Sequence, residues 1–229
     1  MALRIFDTDP DARPKPRAKS PDIAYQLKSG TVVGSRPRSL SEWRVLAASP
    51  QIAAAVAELY GGQPREWDPT KELGMEVMTS TSSIPVVVSE IDERLIQWGP
   101  RGPIHECDGE FFLSPDPRAG SPCGCPPTLR ERKAAHRAGT GPGPWITISL
   151  RMADDYHLGA GRYIATSWSF VEVYLPQARE DLDRIDGEAL CDLSIERVQY
   201  TTKSGMNVDF NRPSLTVQGS WNEAIAEDA

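Results

Sequence analysis

Apolar and polar residues alternate most strictly in the second half of the chain. From Trp145 to Met152 every other residue is large and apolar, the pattern of a strand with one buried face. Arg162 to Tyr174 is rich in aromatic and β-branched residues and predicts one long strand, or two joined by a bulge. A crossing helix is expected from Pro176 to Asp186, with Leu182 and Ile185 on its apolar side. Two further strands, Asp192–Thr202 and Met206–Gln218, flank the turn Lys203-Ser204-Gly205 and read as a β-hairpin. Earlier in the chain, Glu42 to Leu46 alternates briefly, as a short strand would, with a helix as the alternative. Ser49 followed by Pro50 has the form of a helix N-cap with proline at the first helical position. Ile52, Val56, Leu59 and Tyr60 follow at helical spacing, and Gly61-Gly62 stops the helix. Glu76–Met78, Ile84–Val88 and Leu95–Trp98 predict strands, and Thr128–Arg137 a basic helix that Gly139 to Pro144 breaks. Strands outnumber helices and hairpins recur, so the expected class is α+β: a mainly antiparallel sheet, a few helices and a small metal-binding loop insertion.

This pattern divides the 229 residues into three parts. Residues 1–38 form an extended, basic, proline-rich arm, because Pro10, Pro14, Pro16 and Pro21 force extended local geometry. Residues 39–219 form a single α+β domain containing a zinc loop at 104–137, and residues 220–229 form an acidic tail.

Charge narrows the choice of partners. The formal charge of −7 argues against a protein that coats nucleic acid by charge alone. Basic residues nonetheless gather in the arm (Arg13, Lys15, Arg17, Lys19) and in the helix after the cysteine loop (Arg130, Arg132, Lys133, Arg137). No run approaches the roughly 20 apolar residues of a membrane helix, and Met1 to Asp7 lacks the apolar core of a secretory signal. A cytoplasmic protein with no membrane partner is expected.

In a reducing compartment, clustered cysteines point to a metal. Cys107, Cys123 and Cys125 supply three soft ligands for a tetrahedral structural zinc (Zn2+), and His105 or His136 could supply the fourth. If Ile104 to Asp108 is a strand, His105 and Cys107 project from one face. Cys191 stands alone and reads as a buried core residue. Catalytic patterns fare worse. The chain has three histidines and no nucleophile elbow, phosphate-binding loop or His-Glu-x-x-His helix, so no enzyme is expected and no catalytic residue is assigned. Six tryptophans together with the basic clusters allow an alternative, a DNA-replication or recombination accessory protein that binds single-stranded DNA.

Several stretches, taken together, resemble a known family. They are R-I-F-D-T-D-P-D-A-R-P-K-P-R near the start, S-L-S-E-W-R-V with L-Y-G-G, C-D-G at 107–109, C-G-C-P at 123–126, and Y-T-T-K-S-G at 200–205. The resemblance is to the recombination directionality factors of temperate actinobacterial phages that integrate through a large serine integrase, and it covers about residues 3 to 219. It implies an excisionase-like accessory protein that binds the integrase at its mobile coiled-coil region and switches it from integration to prophage excision. DNA would be met only indirectly, through the integrase, in the bacterial host cytoplasm. Related phage proteins carry a further cysteine where this chain has Gly139 to Pro144, a departure that favours His136 as fourth ligand. Candidate integrase contacts are Arg13, Lys15, Arg17 and Lys19 of the arm, and the exposed edge of the C-terminal hairpin.

Overall fold

Half-buried alternating strands must pair and cover their apolar faces, and here ten of them share one sheet. The computed structural model describes residues 23–34, 36–114 and 116–227. In chain order the strands are β1 (Tyr25–Val33), β2 (Arg36–Ala47), β3 (Pro64–Glu66), β4 (Met75–Met78), β5 (Ser83–Gly99), β6 (Gly102–Cys107), β7 (Gly143–Met152), β8 (Gly161–Ala165), β9 (Ala189–Thr201) and β10 (Asn207–Ser220). The helices are α1 (Pro50–Tyr60), α2 (Leu129–Arg137), α3 (Trp168–Val173), α4 (Leu175–Leu182) and α5 (Trp221–Glu227). The sheet runs β10-β9-β5-β7-β8-β1-β2-β4-β3, with β6 on the far half of β5. Every pairing is antiparallel except β1 with β8, which confirms the mainly antiparallel α+β class.

The sheet curls until β2 meets β9 and β10. The segment Thr79–Ser82 bridges that gap with hydrogen bonds to both sides. The Trp43 amide and indole N–H donate to Thr81 O (3.1 Å) and Ser82 O (3.0 Å), while the Ile195 amide donates to Ser82 O at 2.7 Å. Inside the curl lie Tyr25, Leu27, Trp43, Val45, Ile148, Leu150, Cys191 and Leu193, all at most 2% exposed. Cys191 is thus a core residue, as expected. Trp43 meets Tyr163 edge-on at 5.3 Å between rings, a favoured aromatic geometry.

Local signals act where expected. Ser49 Oγ accepts from the Ile52 amide, and Gly61 ends α1 at a φ of 74° that disfavours other residues. The stretches Ile84–Val88 and Leu95–Trp98 merge into one strand, β5, which pairs with β9, β7 and β6 along its length.

Three expectations need correction. The proposed arm does not reach residue 38: Tyr25–Val33 and Arg36–Arg38 lie in β1 and β2, because Tyr25 and Leu27 fill the core from the sheet's interior. The arm residues Arg13, Lys15, Arg17 and Lys19 lie outside the described residues. Only the first part of Arg162–Tyr174 is a strand. Ser167 Oγ caps Phe170 N and starts α3, which buries Phe170 completely, so packing overrides β-propensity. The expected acidic tail begins as α5, where Trp221 stacks on Tyr156 at 5.7 Å and its amide donates to Glu188 O.

Trp43 couples core packing to the bridge across the curl. Trp43→Ala should lose about 3–5 kcal/mol of stability, read as a lower denaturant midpoint with an unchanged slope.

Candidate metal centre

The second half of β5 pairs with β6, and β6 delivers His105 and Cys107 to one end of the sheet. Strand alternation puts both on one face, and the hairpin continues through bridges Cys107↔Phe112 and Phe111↔Pro122. These return the chain so that the Cys123 amide donates to Glu110 O at 2.8 Å. Gly124, at φ 72°, then turns the backbone sharply enough to bring Cys125 back beside Cys123.

The outcome is a four-residue cluster. One ligand atom each from His105, Cys107, Cys123 and Cys125 lies within 4.8 Å of the others. The Sγ atoms of Cys107 and Cys125 are 3.6 Å apart, and His105 Nε2 lies 3.1 Å from Cys107 Sγ and 3.4 Å from Cys125 Sγ. A tetrahedral ion with metal–sulfur bonds of about 2.3 Å needs ligand–ligand edges of roughly 3.5–3.8 Å, so the cluster fits a small structural metal with modest adjustment. His136 is not part of the cluster. It sits on α2 with its ring 6.2 Å from that of Trp168, over Gly143, where any Cβ would meet it at 2.2 Å.

Electrostatics point the same way. Burial pushes the Cys107 and Cys125 thiols up from their ordinary values, disfavouring thiolates without a cation. Burial also lowers the His105 value, aided by Arg118 and opposed by Asp116, a shift toward the neutral, ligating imidazole. A bound divalent ion would supply the positive charge that makes the thiolates favourable.

Residues 13–218 match the family described as Gp3-like, recombination directionality factor-like. The chain belongs to this family. No solved structure matches the chain. All four cluster residues fall inside the span shared with the recombination directionality factor-like family.

Sequence reasoning missed the side chains that hold the loop. Arg132 donates from Nε to Pro126 O (2.7 Å) and from Nη2 to Gly109 O (2.9 Å), tying α2 to both halves of the loop. Gly109 has φ 106°, and an added Cβ would meet the Arg132 guanidinium at 2.9 Å. Arg118 lies 3.8 Å over the Phe112 ring and donates to Ile104 O. Neither arginine belongs to a motif, and only the fold reveals their roles. Phe112, Leu95, Cys107 and Cys123 form a small apolar cluster of their own, with Trp168 of α3 packed against it.

A metal held by these four residues predicts a specific pattern in elemental analysis of the purified chain. Cys107→Ser and Cys123→Ser should each lose the ion, His105→Ala should weaken its retention against a chelator by tenfold or more, on the order of a lost ligand, and His136→Ala should leave the content unchanged.

Proposed function

We propose that this chain is an accessory factor that binds a large serine integrase and switches it from integration to excision of a prophage. The observation that carries the reading is the family match across residues 13–218, nearly the whole described chain. A directionality factor needs no chemistry of its own. It biases an equilibrium by binding one arrangement of the recombinase better than another. Moving a population from about 1:99 to 99:1 takes roughly 5.5 kcal/mol of differential affinity, within the reach of an ordinary protein interface. The net charge of −7 fits a factor that grips the recombinase and meets DNA through it. We assign the integrase's mobile coiled-coil region as the contact and the host cytoplasm as the setting.

The metal in this reading is zinc. A d¹⁰ ion without redox chemistry suits three thiolates and one imidazole in a closed site, and it stiffens a loop with little apolar surface. It would be held by His105, Cys107, Cys123 and Cys125.

The decisive experiment mixes the purified chain with its cognate integrase and pairs of attachment sites. Excision between the hybrid sites should rise and integration between the phage and host sites should fall. The chain should also co-purify with the integrase in the absence of DNA. Unchanged recombination together with salt-sensitive binding of oligonucleotides by the isolated chain would replace this reading with single-strand binding. Replacing Arg13, Lys15, Arg17 and Lys19 with alanine should weaken integrase binding if the arm is a contact, and an unchanged affinity would remove the arm from the interface.

A further inference from the structure

The sheet face turned away from the curl carries a cluster of cations that the described carboxylates only partly compensate. Lys28 of β1 lies directly opposite Arg44 of β2, and Gln26 lies opposite Arg162 of β8. Alternation puts Gln26, Lys28, Arg44 and Arg162 on the face opposite buried Leu27, Val45 and Tyr163. Like charges directly across a strand pair repel, so their placement calls for an anion. Part of that anion is built in. Buried Glu76 takes both Arg44 and Arg65, while Arg44 also lies 5.1 Å from the Trp67 ring.

Lys28 and Arg162 are different. Among the described residues neither makes an ion pair, and the buried Nε of Arg162 has no hydrogen-bond partner. Burial, then Arg162, then Arg44 hold the Lys28 ammonium below its ordinary value. Burial likewise lowers Arg162, and Glu72 is the one carboxylate opposing it. Glu76 is committed to Arg44 and Arg65, Glu72 lies near Arg162, and Glu90 of β5 stands opposite Ser149 in the same row, so Lys28 is the cation with no carboxylate set against it among the described residues. Ser149 of β7 lies across from Arg162, on the side away from β1.

We infer that this face binds a phosphate oxyanion between Lys28 and Arg162. Its oxygens accept from the ammonium and from the guanidinium N–H that has no partner among the described residues. The oxyanion can come from free phosphate or from the phosphodiester backbone of DNA.

The test uses the full chain and inorganic phosphate, against chloride at equal ionic strength. Phosphate should raise the thermal midpoint of the unaltered chain, and Lys28→Met or Arg162→Met should each lower phosphate affinity by about tenfold or more. In phosphate-free buffer both variants should melt at or above the unaltered chain, since each relieves repulsion. A lost response is then not a lost fold. Duplex DNA separates the sources. Backbone binding predicts weaker duplex affinity for the variants, a salt slope smaller by about one per cation removed, and competition by phosphate. Free-phosphate binding predicts equal duplex affinity for all three proteins. No midpoint rise in the unaltered chain, or an equal rise in both variants, overturns the inference.

Discussion

Everything else hangs from β5. Its first half hydrogen-bonds β9, its stretch from Val86 to Ile96 meets β7, and its last part carries β6, so one strand of 17 residues spans both the curled core and the metal loop. Strands usually run 5–6 residues, and one this long must accommodate accumulated twist. The register shift between Val88 and Glu90 does so, separating the buried run Val86–Val88 from the segment that serves β6. The position of the cysteine cluster is therefore fixed by backbone hydrogen bonds that begin in the core, and Lys133–Glu172 adds a link from α2 to α3.

The two halves are held by different physics. The curl is an apolar core whose aromatic residues fill the interior, closed by the hydrogen bonds of Thr79–Ser82. The loop beyond Cys107 buries few apolar side chains and relies on backbone bridges, two arginine clamps and four convergent ligands. The proposed role, binding a recombinase by shape and affinity, would be served by rigidity in both halves: preorganised surfaces lose less entropy on binding.

The strands that alternate strictly, β7 and the β9–β10 hairpin, were legible because period and turn chemistry agreed. Helix α1 was legible from its two ends alone, Ser49-Pro50 and Gly61. Strand β1 was not, because Lys28, Ser29 and Gly30 interrupt its alternation and its parallel partner lies more than 130 residues away at Gly161–Tyr163. The start of α3 was hidden by the β-branched Val171 and Val173, whose preference yielded to the burial of Phe170. At the metal centre the ligand types were readable from the sequence, and His105 could be placed beside Cys107 once Ile104–Asp108 was a strand. Its choice over His136 rested on where α2 packs, which depends on Gly143 leaving room for the His136 ring.

The bridges at Cys107↔Phe112 and Phe111↔Pro122 leave a turn whose Ala119-Gly120 corner is exposed, with open space where a Gly120 Cβ would sit. Both ends of that turn are pinned from below, so chain length at its tip is nearly decoupled from the geometry beneath. Loop-closure entropy grows by only about 0.6 kcal/mol per doubling of length. The tip is thus a natural port for a genetically encoded label, a place where extra residues can report on the protein without being felt by its sheet.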